Sequence, residues 1–228
     1  MKKIAIIPAR GGSKRLPRKN IIDFCGRPVI AYSIDAARGC GLFDRVMVST
    51  EDSEIADISK AFGAEVIMRP VELASDTASV VDVCLQALDS ENSQGRSYDI
   101  LCCLYATAPL RSADDIKNTV ELVASGESDF AMAVTKYHYP PHQAMIMNEA
   151  GFMEPMWYDL VSKRSQDVPE MFIDNGSTYV ASIREFIELK TFRGPKLKGY
   201  LMPQNLSVDI DVVEDLELAN YFARRNKQ

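Results

Sequence analysis

Ile4-Ala5-Ile6-Ile7-Pro8-Ala9-Arg10-Gly11-Gly12-Ser13-Lys14-Arg15-Leu16-Pro17-Arg18-Lys19-Asn20 is the stretch that decides the fold. Ile4 to Ala9 is a short, continuous apolar run rich in isoleucine, which predicts a buried first strand of a parallel sheet. A glycine pair inside a basic loop follows directly. Gly11 and Gly12 let the backbone approach a ligand closely and turn N–H groups towards it. Ser13 adds a hydroxyl, and Arg10, Lys14 and Lys19 supply charge-assisted donors suited to phosphate oxygens. The spacing fits neither the G-x-x-x-x-G-K-[ST] loop nor the G-x-G-x-x-G dinucleotide fingerprint. A basic loop can be merely solvated, but one at the carboxyl end of a first strand sits where α/β sheets bind ligands.

Charge sharpens this reading. The chain carries a net −6, yet Arg10 to Lys19 holds five positive charges and no negative one. A basic loop on an otherwise acidic protein points to a small anionic ligand and argues against nucleic acid. The composition is 46% hydrophobic and 25% charged, ordinary for a globular chain. No apolar run is long enough to span a membrane. Pro8 and the basic loop follow the first apolar run too soon for a secretory signal, so a cytoplasmic location is expected. Five cysteines without a C-x-x-C pair, beside only two histidines, read as buried thiols in a reducing compartment.

Outward from the first strand, apolar runs alternate with helical patterns. Helices are expected from Val29 to Arg38, with Gly39 and Gly41 as stops, and over Ser53 to Phe62 and Ser79 to Leu88. Strands are expected at Arg45 to Ser49, Glu65 to Met68, Asp99 to Leu104 and Phe130 to Val134. Ser112 is placed to cap a helix with Asp114 and Asp115 in its first turn. Regular structure is expected again from Ser177 to Ile183, and a terminal helix from Val213 to Arg225. This alternation predicts an α/β fold with a doubly wound, mostly parallel sheet. The chain of 228 residues suits one domain, residues 1–228, interrupted by an inserted arm at about 136–168. That arm is rich in Met, Tyr, Trp and Pro without helical periodicity, which suggests a surface that packs on a second copy of the chain.

Four further segments carry polar groups in positions suited to chemistry. Arg69-Pro70-Val71-Glu72-Leu73-Ala74-Ser75-Asp76-Thr77-Ala78-Ser79 joins a strand to a helix; Arg69 suits an anion, and Ser79 suits either a helix cap or a ligand. Tyr105-Ala106-Thr107-Ala108-Pro109-Leu110-Arg111 leaves the central strand at its carboxyl end, where Tyr105 and Thr107 are placed for substrate, while Pro109 and Arg111 also suit a turn. Arg164-Ser165-Gln166-Asp167 and Asp174-Asn175-Gly176-Ser177 offer a carboxylate-pairing guanidinium and amides for hydroxyl groups. In Val208-Asp209-Ile210-Asp211, strand periodicity turns both aspartates one way, and two carboxylates with phosphate oxygens suit Mg²⁺.

In this order and spacing the motifs resemble the acylneuraminate cytidylyltransferase family, the synthetases of CMP-sialic acid and its pseudaminic and legionaminic relatives. The resemblance covers nearly the whole chain. It implies a Rossmann-like sheet, a homodimer that exchanges the arm, and transfer of CMP from CTP to a nine-carbon sugar acid. It implies that Arg10, Gly11, Gly12, Ser13, Lys14, Lys19 and Asn20 bind CTP with Arg69 and Ser79. Tyr105, Thr107, Arg164, Gln166 and Asn175 would line the sugar-acid pocket, and Asp209 and Asp211 would hold Mg²⁺, with Mn²⁺ able to substitute. Arg10, Lys14, Asp209 and Asp211 carry the catalytic roles in this reading.

Sialic acid enzymes commonly have Gln-Pro-Thr-Ser-Pro where this chain has Tyr105 to Pro109. Pseudaminic acid enzymes have Tyr-Pro-Thr-Ala-Pro there together with Arg-Ser-Gln-Asp, so pseudaminic acid is favoured. Asn175-Gly176 is nearer the sialic acid pattern, which keeps N-acetylneuraminic and legionaminic acids as alternatives. The shorter sugar acid of lipopolysaccharide cores fits the first loop but not the later segments. An NAD-dependent oxidoreductase lacks its glycine fingerprint here, and a mere nucleotide sensor has no need of the aspartates.

Overall fold

The computed structural model describes residues 1–74 and 78–225. The amino-terminal half runs β1 (Lys3–Pro8), β2 (Asp23–Phe24), β3 (Arg27–Pro28), α1 (Val29–Gly39), β4 (Arg45–Thr50), α2 (Ser53–Ala61), β5 (Glu65–Met68), α3 (Val80–Ser93) and β6 (Ile100–Leu104). Then follow α4 (Ala113–Ala124), β7 (Phe130–Lys136), β8 (Met145–Met147), β9 (Met153–Pro155), α5 (Tyr158–Val161), β10 (Phe172–Ser182), α6 (Ile183–Leu189), β11 (Leu197–Leu201) and α7 (Val213–Arg225).

Among the described residues, seven strands form one sheet in the order β11-β7-β10-β6-β1-β4-β5. β1 is parallel to β4 and β6, β4 to β5, and β7 to β11. β10 alone of these strands runs antiparallel to both neighbours, β6 and β7. The reason is the connection: the chain leaves β7, makes the arm and returns without the crossover helix that a parallel partner requires.

Alternate residues of β1 feed two cores. Ala5 and Ile7 pack with α1, α2 and α4 through Ile34, Ile55 and Ile116. Ile4 and Ile6 pack on the other face with α3 and α6 through Cys84, Ala87 and Phe186. The sheet is therefore covered on both faces, as its near-continuous apolar strands require.

α3 runs five residues past the expected Leu88, because its face is completed by a charge. Glu91 is only 1% exposed and accepts from Arg45, Arg96 and Tyr98. Burial would raise its carboxyl, but these three partners outweigh that and take it down to about 2. Apolar periodicity cannot announce such a turn of helix.

Between Lys136 and Phe172 lies the arm, built from the β8–β9 hairpin, α5 and two single turns. Asn148 closes the hairpin by accepting from the N–H groups of Ala150 and Phe152. Tyr139, Met147, Phe152, Met156 and Tyr158 are more than half exposed on it.

Candidate active site

β1, β4, β5 and β6 end at one edge of the sheet, and the loops leaving them enclose a cleft of about 310 Å³. One wall is basic, with Arg10, Lys14, Arg15 and Lys19. Leu73, Ala78, Val80 and Val83 add apolar lining. Tyr105, Thr107 and Asp211 close the floor and rim.

The basic loop is pinned from below. Leu16 is buried with Phe24, Val208 and Ile210, so an aliphatic contact joins the loop to a segment far along the chain. Burying one such side chain is worth about 1.5–3 kcal/mol. The half-exposed pair of Arg15 with Asp211, by contrast, is worth roughly 0–1 kcal/mol. The apolar contacts therefore set the geometry, and the ion pairs decorate it. Arg18 adopts a left-handed backbone, φ 56°, and grips Asp52 with both terminal nitrogens. The guanidinium holds that carboxyl below its ordinary value, and Asp52 in turn caps α2 by accepting from the Ile55 N–H. Asn20 is buried, and its Nδ2 donates to the Arg10 carbonyl at 2.8 Å, so it shapes the loop while facing the cleft.

Gly11 differs from its expected role. Its N–H donates to Glu51 Oε1 at 2.7 Å, and a Cβ there would lie 2.4 Å from Asp52 Oδ2. Glycine is required by the press of the loop on Asp52, and that N–H is spent inside the protein. Neither Gly11 nor Gly12 lines the cleft, whereas Ser13 does. The reason is that the peptide at Gly11 turns towards β4 and α2.

In the second segment, Arg69 is 6% exposed and lines the cleft, with Nε and Nη2 donating to Glu51 Oε2 at 3.1 and 2.9 Å. Ser79 is a helix cap: it accepts from the Asp82 N–H in a reciprocal capping box on α3. Its hydroxyl is thereby spent on the helix and does not line the cleft. Ser75, Asp76 and Thr77 lie outside the described residues.

At the central strand, Tyr105 packs on Tyr179 with ring centroids 5.2 Å apart, and burial raises its hydroxyl above the ordinary value. Arg111 is fully buried. It donates from Nη1 to the Ser177 carbonyl at 2.6 Å and from Nη2 to Ser33 Oγ at 2.7 Å. Burial takes this guanidinium down to about 10. It staples the Tyr105 loop to α1 and β10, more than the turn-shaping its sequence suggested.

Asp209 and Asp211 lie in a loop before α7, not in a strand. The alternation holds all the same: Val208 and Ile210 are buried while the aspartates face the other way. Thr107 fixes this segment twice, by its Oγ1 donating to Asp209 Oδ1 at 2.5 Å and by its carbonyl accepting from the Ile210 N–H at 2.9 Å. Gly176, at φ +66°, comes so close that a Cβ there would lie 2.7 Å from Asp209 Oδ2. Burial raises the Asp209 carboxyl, Thr107 and Lys19 oppose this, and the charges of Asp211 and Asp215 add to it. For Asp211, burial is outweighed by Lys19 and Arg15, whose nitrogens lie 2.5 and 2.6 Å from its oxygens, and the carboxyl sits below its ordinary value.

No group of three or more His, Cys, Asp and Glu that could hold a metal occurs among the described residues. A hard divalent cation that keeps waters and takes phosphate oxygens needs only one or two carboxylates. Asp209 and Asp211 are two such carboxylates one residue apart, Asp211 lining the cleft with its oxygens on Lys19 and Arg15 and Asp209 with Oδ1 on Thr107, so the donor types fit.

The later sugar-side residues are placed differently from expectation. Asn175 is 5% exposed: its Nδ2 donates to Ser207 Oγ and Met202 Sδ, and its Oδ1 accepts from Ser177. Its polar atoms bind β10 to the loop before Asp209, and it does not line the cleft. Arg164 and Gln166 are exposed on the arm and do not line the cleft of a single chain. Glu51 and Asp52 escaped the sequence reading, and Arg18 entered it only as one of the loop's five positive charges. The only signal was a pair of acids directly after a parallel strand.

A family model described as cytidylyltransferase matches residues 4–149. The chain is 39% identical over 229 residues to a pseudaminic acid cytidylyltransferase of Campylobacter jejuni, covering 100% of this chain and 99% of that one. It is 31% identical over 218 residues to an N-acylneuraminate cytidylyltransferase of Streptococcus agalactiae, covering 94% of this chain and 52% of that one. Among solved structures, a CMP:2-keto-3-deoxy-manno-octonic acid synthetase complexed with CTP superposes with a TM-score of 0.72 at 17% identity, over 99% of this chain and 100% of that one. A 4-diphosphocytidyl-2C-methyl-D-erythritol synthase of Anaerococcus prevotii gives 0.68 at 13% identity, over 98% and 99%. These two show the fold. The family model and the full-length likeness establish that this chain belongs to the cytidylyltransferase family and is a nucleotidyltransferase.

Proposed function

We propose that the chain transfers CMP from CTP to a nine-carbon sugar acid and that pseudaminic acid is its preferred substrate. The observation that carries this is the cleft, which Arg10, Lys14 and Lys19 line together with Asp211, the carboxylate that Lys19 holds at 2.5 Å. The sugar hydroxyl gives up its proton to water or a neighbouring aspartate and attacks the α-phosphorus in line. The new P–O bond forms as the bond to the bridging oxygen breaks and pyrophosphate leaves. The basic wall neutralises the triphosphate and the charge that grows on the leaving group. The apolar side chains of Leu73, Ala78, Val80 and Val83 accommodate the flat base. Asp209 and Asp211 would hold Mg²⁺, with Mn²⁺ able to replace it. When bound, the cation supplies positive charge to the α-phosphate and acidifies the attacking hydroxyl.

Tyr105, at the cleft, supports the sugar preference: a ring and one hydroxyl suit a less hydroxylated sugar better than an amide does. Asn175, which pointed towards sialic acid, has its amide spent on Ser177 and Ser207, so it no longer weighs against this choice. The expected kcat/KM at saturating CTP favours pseudaminic over N-acetylneuraminic acid by roughly a hundredfold. The reverse ratio overturns the sugar and leaves CMP transfer standing.

The exposed apolar side chains of the arm support a homodimer. Light scattering at micromolar concentration is expected to give the mass of two chains, and a monomer there contradicts the proposal. All five cysteines are free, and no helix of the described residues is long and apolar enough to cross a membrane. The free thiols support a cytoplasmic location.

A further inference from the structure

We infer that Glu51 is a positioning residue for nucleotide binding, one that holds the basic loop and Arg69 at a fixed separation beside the cleft. The inference rests on the reading that this cleft takes CTP. Glu51 is the first residue after β4, and its surroundings leave it no freedom. On one side the Thr50 carbonyl accepts from the Arg69 N–H at 3.0 Å, and on the other Thr50 Oγ1 accepts from the Asp52 N–H at 3.1 Å. The side chain is only 16% exposed, and that of Arg69 only 3%.

Each oxygen of Glu51 has its own task. Oε1 accepts from the Gly11 N–H, and Oε2 accepts from Nε and Nη2 of Arg69. Donors thus approach from both sides, and only a carboxylate can serve both. A glutamine, whichever way its amide is turned, must point an N–H₂ group at one of them and leaves that donor unsatisfied in a buried place. An aspartate is one methylene too short to span them.

The two donors belong to two different segments that contribute to the cleft. Gly11 begins the turn that carries Lys14, directly after Arg10, while Arg69 begins the segment that leads to the apolar lining. Gly11 cannot retreat towards α2, because Asp52 already stands at the position of its missing Cβ and is itself fixed by Arg18 and the cap of α2. Glu51 acts only through these neighbours and does not line the cleft. Losing the hold on either Gly11 or Arg69 is expected to let that segment drift and weaken the grip on CTP while leaving the sugar side alone.

The test uses the full chain with Glu51→Gln, Arg69→Met and the double variant, assayed well below their unfolding temperatures. Glu51→Gln is expected to raise both KM and the calorimetric Kd for CTP by ~10–30-fold. The KM for the sugar acid at saturating CTP should stay within about twofold. In the Arg69→Met background, where a single acceptor for Gly11 suffices, adding Glu51→Gln should change the CTP Kd by less than about threefold. A merely structural Glu51 would lower Tm yet leave the CTP constants unmoved, and that result overturns the inference. So does a parallel rise in the sugar-acid KM, or an effect of Glu51→Gln that is undiminished in the double variant. Failure of the wild-type chain to bind CTP is a separate result and strikes the functional reading itself. In that event the Glu51–Arg69 coupling in thermal unfolding decides the inference, which falls if the two substitutions are additive.

Discussion

Asp211→Asn is expected to lower kcat by ~10²–10³ while weakening CTP binding by less than about fivefold. Asp211 faces the cleft and is paired with Lys19 and Arg15. Asparagine keeps the shape and one acceptor for Lys19 but removes the negative charge. Because the side chain is 35% exposed, the lost ion pairs cost little stability. In the ground state the basic wall still holds the triphosphate, so affinity survives. Charge at the α-phosphate is redistributed in the transition state, and there the missing carboxylate, with the cation it would hold, is felt most. The check is kcat at saturating substrates together with a calorimetric Kd for CTP. An unchanged kcat with a weakened Kd would mean that Asp211 serves binding alone.

Gly176→Ala is expected to cut kcat by about a hundredfold and to cost about 2 kcal/mol, or ~5 °C in Tm. At φ +66° alanine is strained, by roughly 1 kcal/mol. Its methyl would also lie 2.7 Å from Asp209 Oδ2 and 3.1 Å from Asp209 Cβ. Asp209 has little room to yield, since Thr107 holds its carboxylate at 2.5 Å and the next peptide at 2.9 Å. On the proposed reading Asp209 helps to hold the cation, and its displacement also shifts the segment that carries Asp211 at the cleft, so activity should fall further than stability. Gly39→Ala is the control: its added methyl meets nothing closer than Ala113 Cβ at 3.9 Å, and both measures should hold. A Gly176→Ala enzyme of ordinary turnover would show that Asp209 need not stay where Thr107 puts it.

What the sequence displayed was mostly local. The apolar run of β1, the basic loop behind it and the cap at Ser112 each depend on neighbours within a few residues, and each stands where expected. What the sequence did not display is decided by distant partners. β10 runs antiparallel because its connection is the arm, and α3 continues because Arg45 and Arg96 complete it at Glu91. Asp209 and Asp211 alternate as in a strand although no neighbouring strand pairs with them, since Val208 and Ile210 need burial against Leu16. Asn175 and Ser79 have polar side chains at the right places in the sequence, but the fold spends them on β10 and on the cap of α3. Glu51, and the staple that Arg111 makes, went unseen for the opposite reason. Their partners lie at Gly11, Arg69, Ser33 and Ser177, and no spacing along the chain reveals such a meeting.

Release of pyrophosphate from CTP by the wild-type chain, measured with and without pseudaminic acid, tests the central claim most directly. The expected result is release only when the sugar acid and a divalent cation are both present, matched mole for mole by CMP-sugar. Release at the same rate without any sugar acid, or none with any nine-carbon sugar acid supplied, would contradict it.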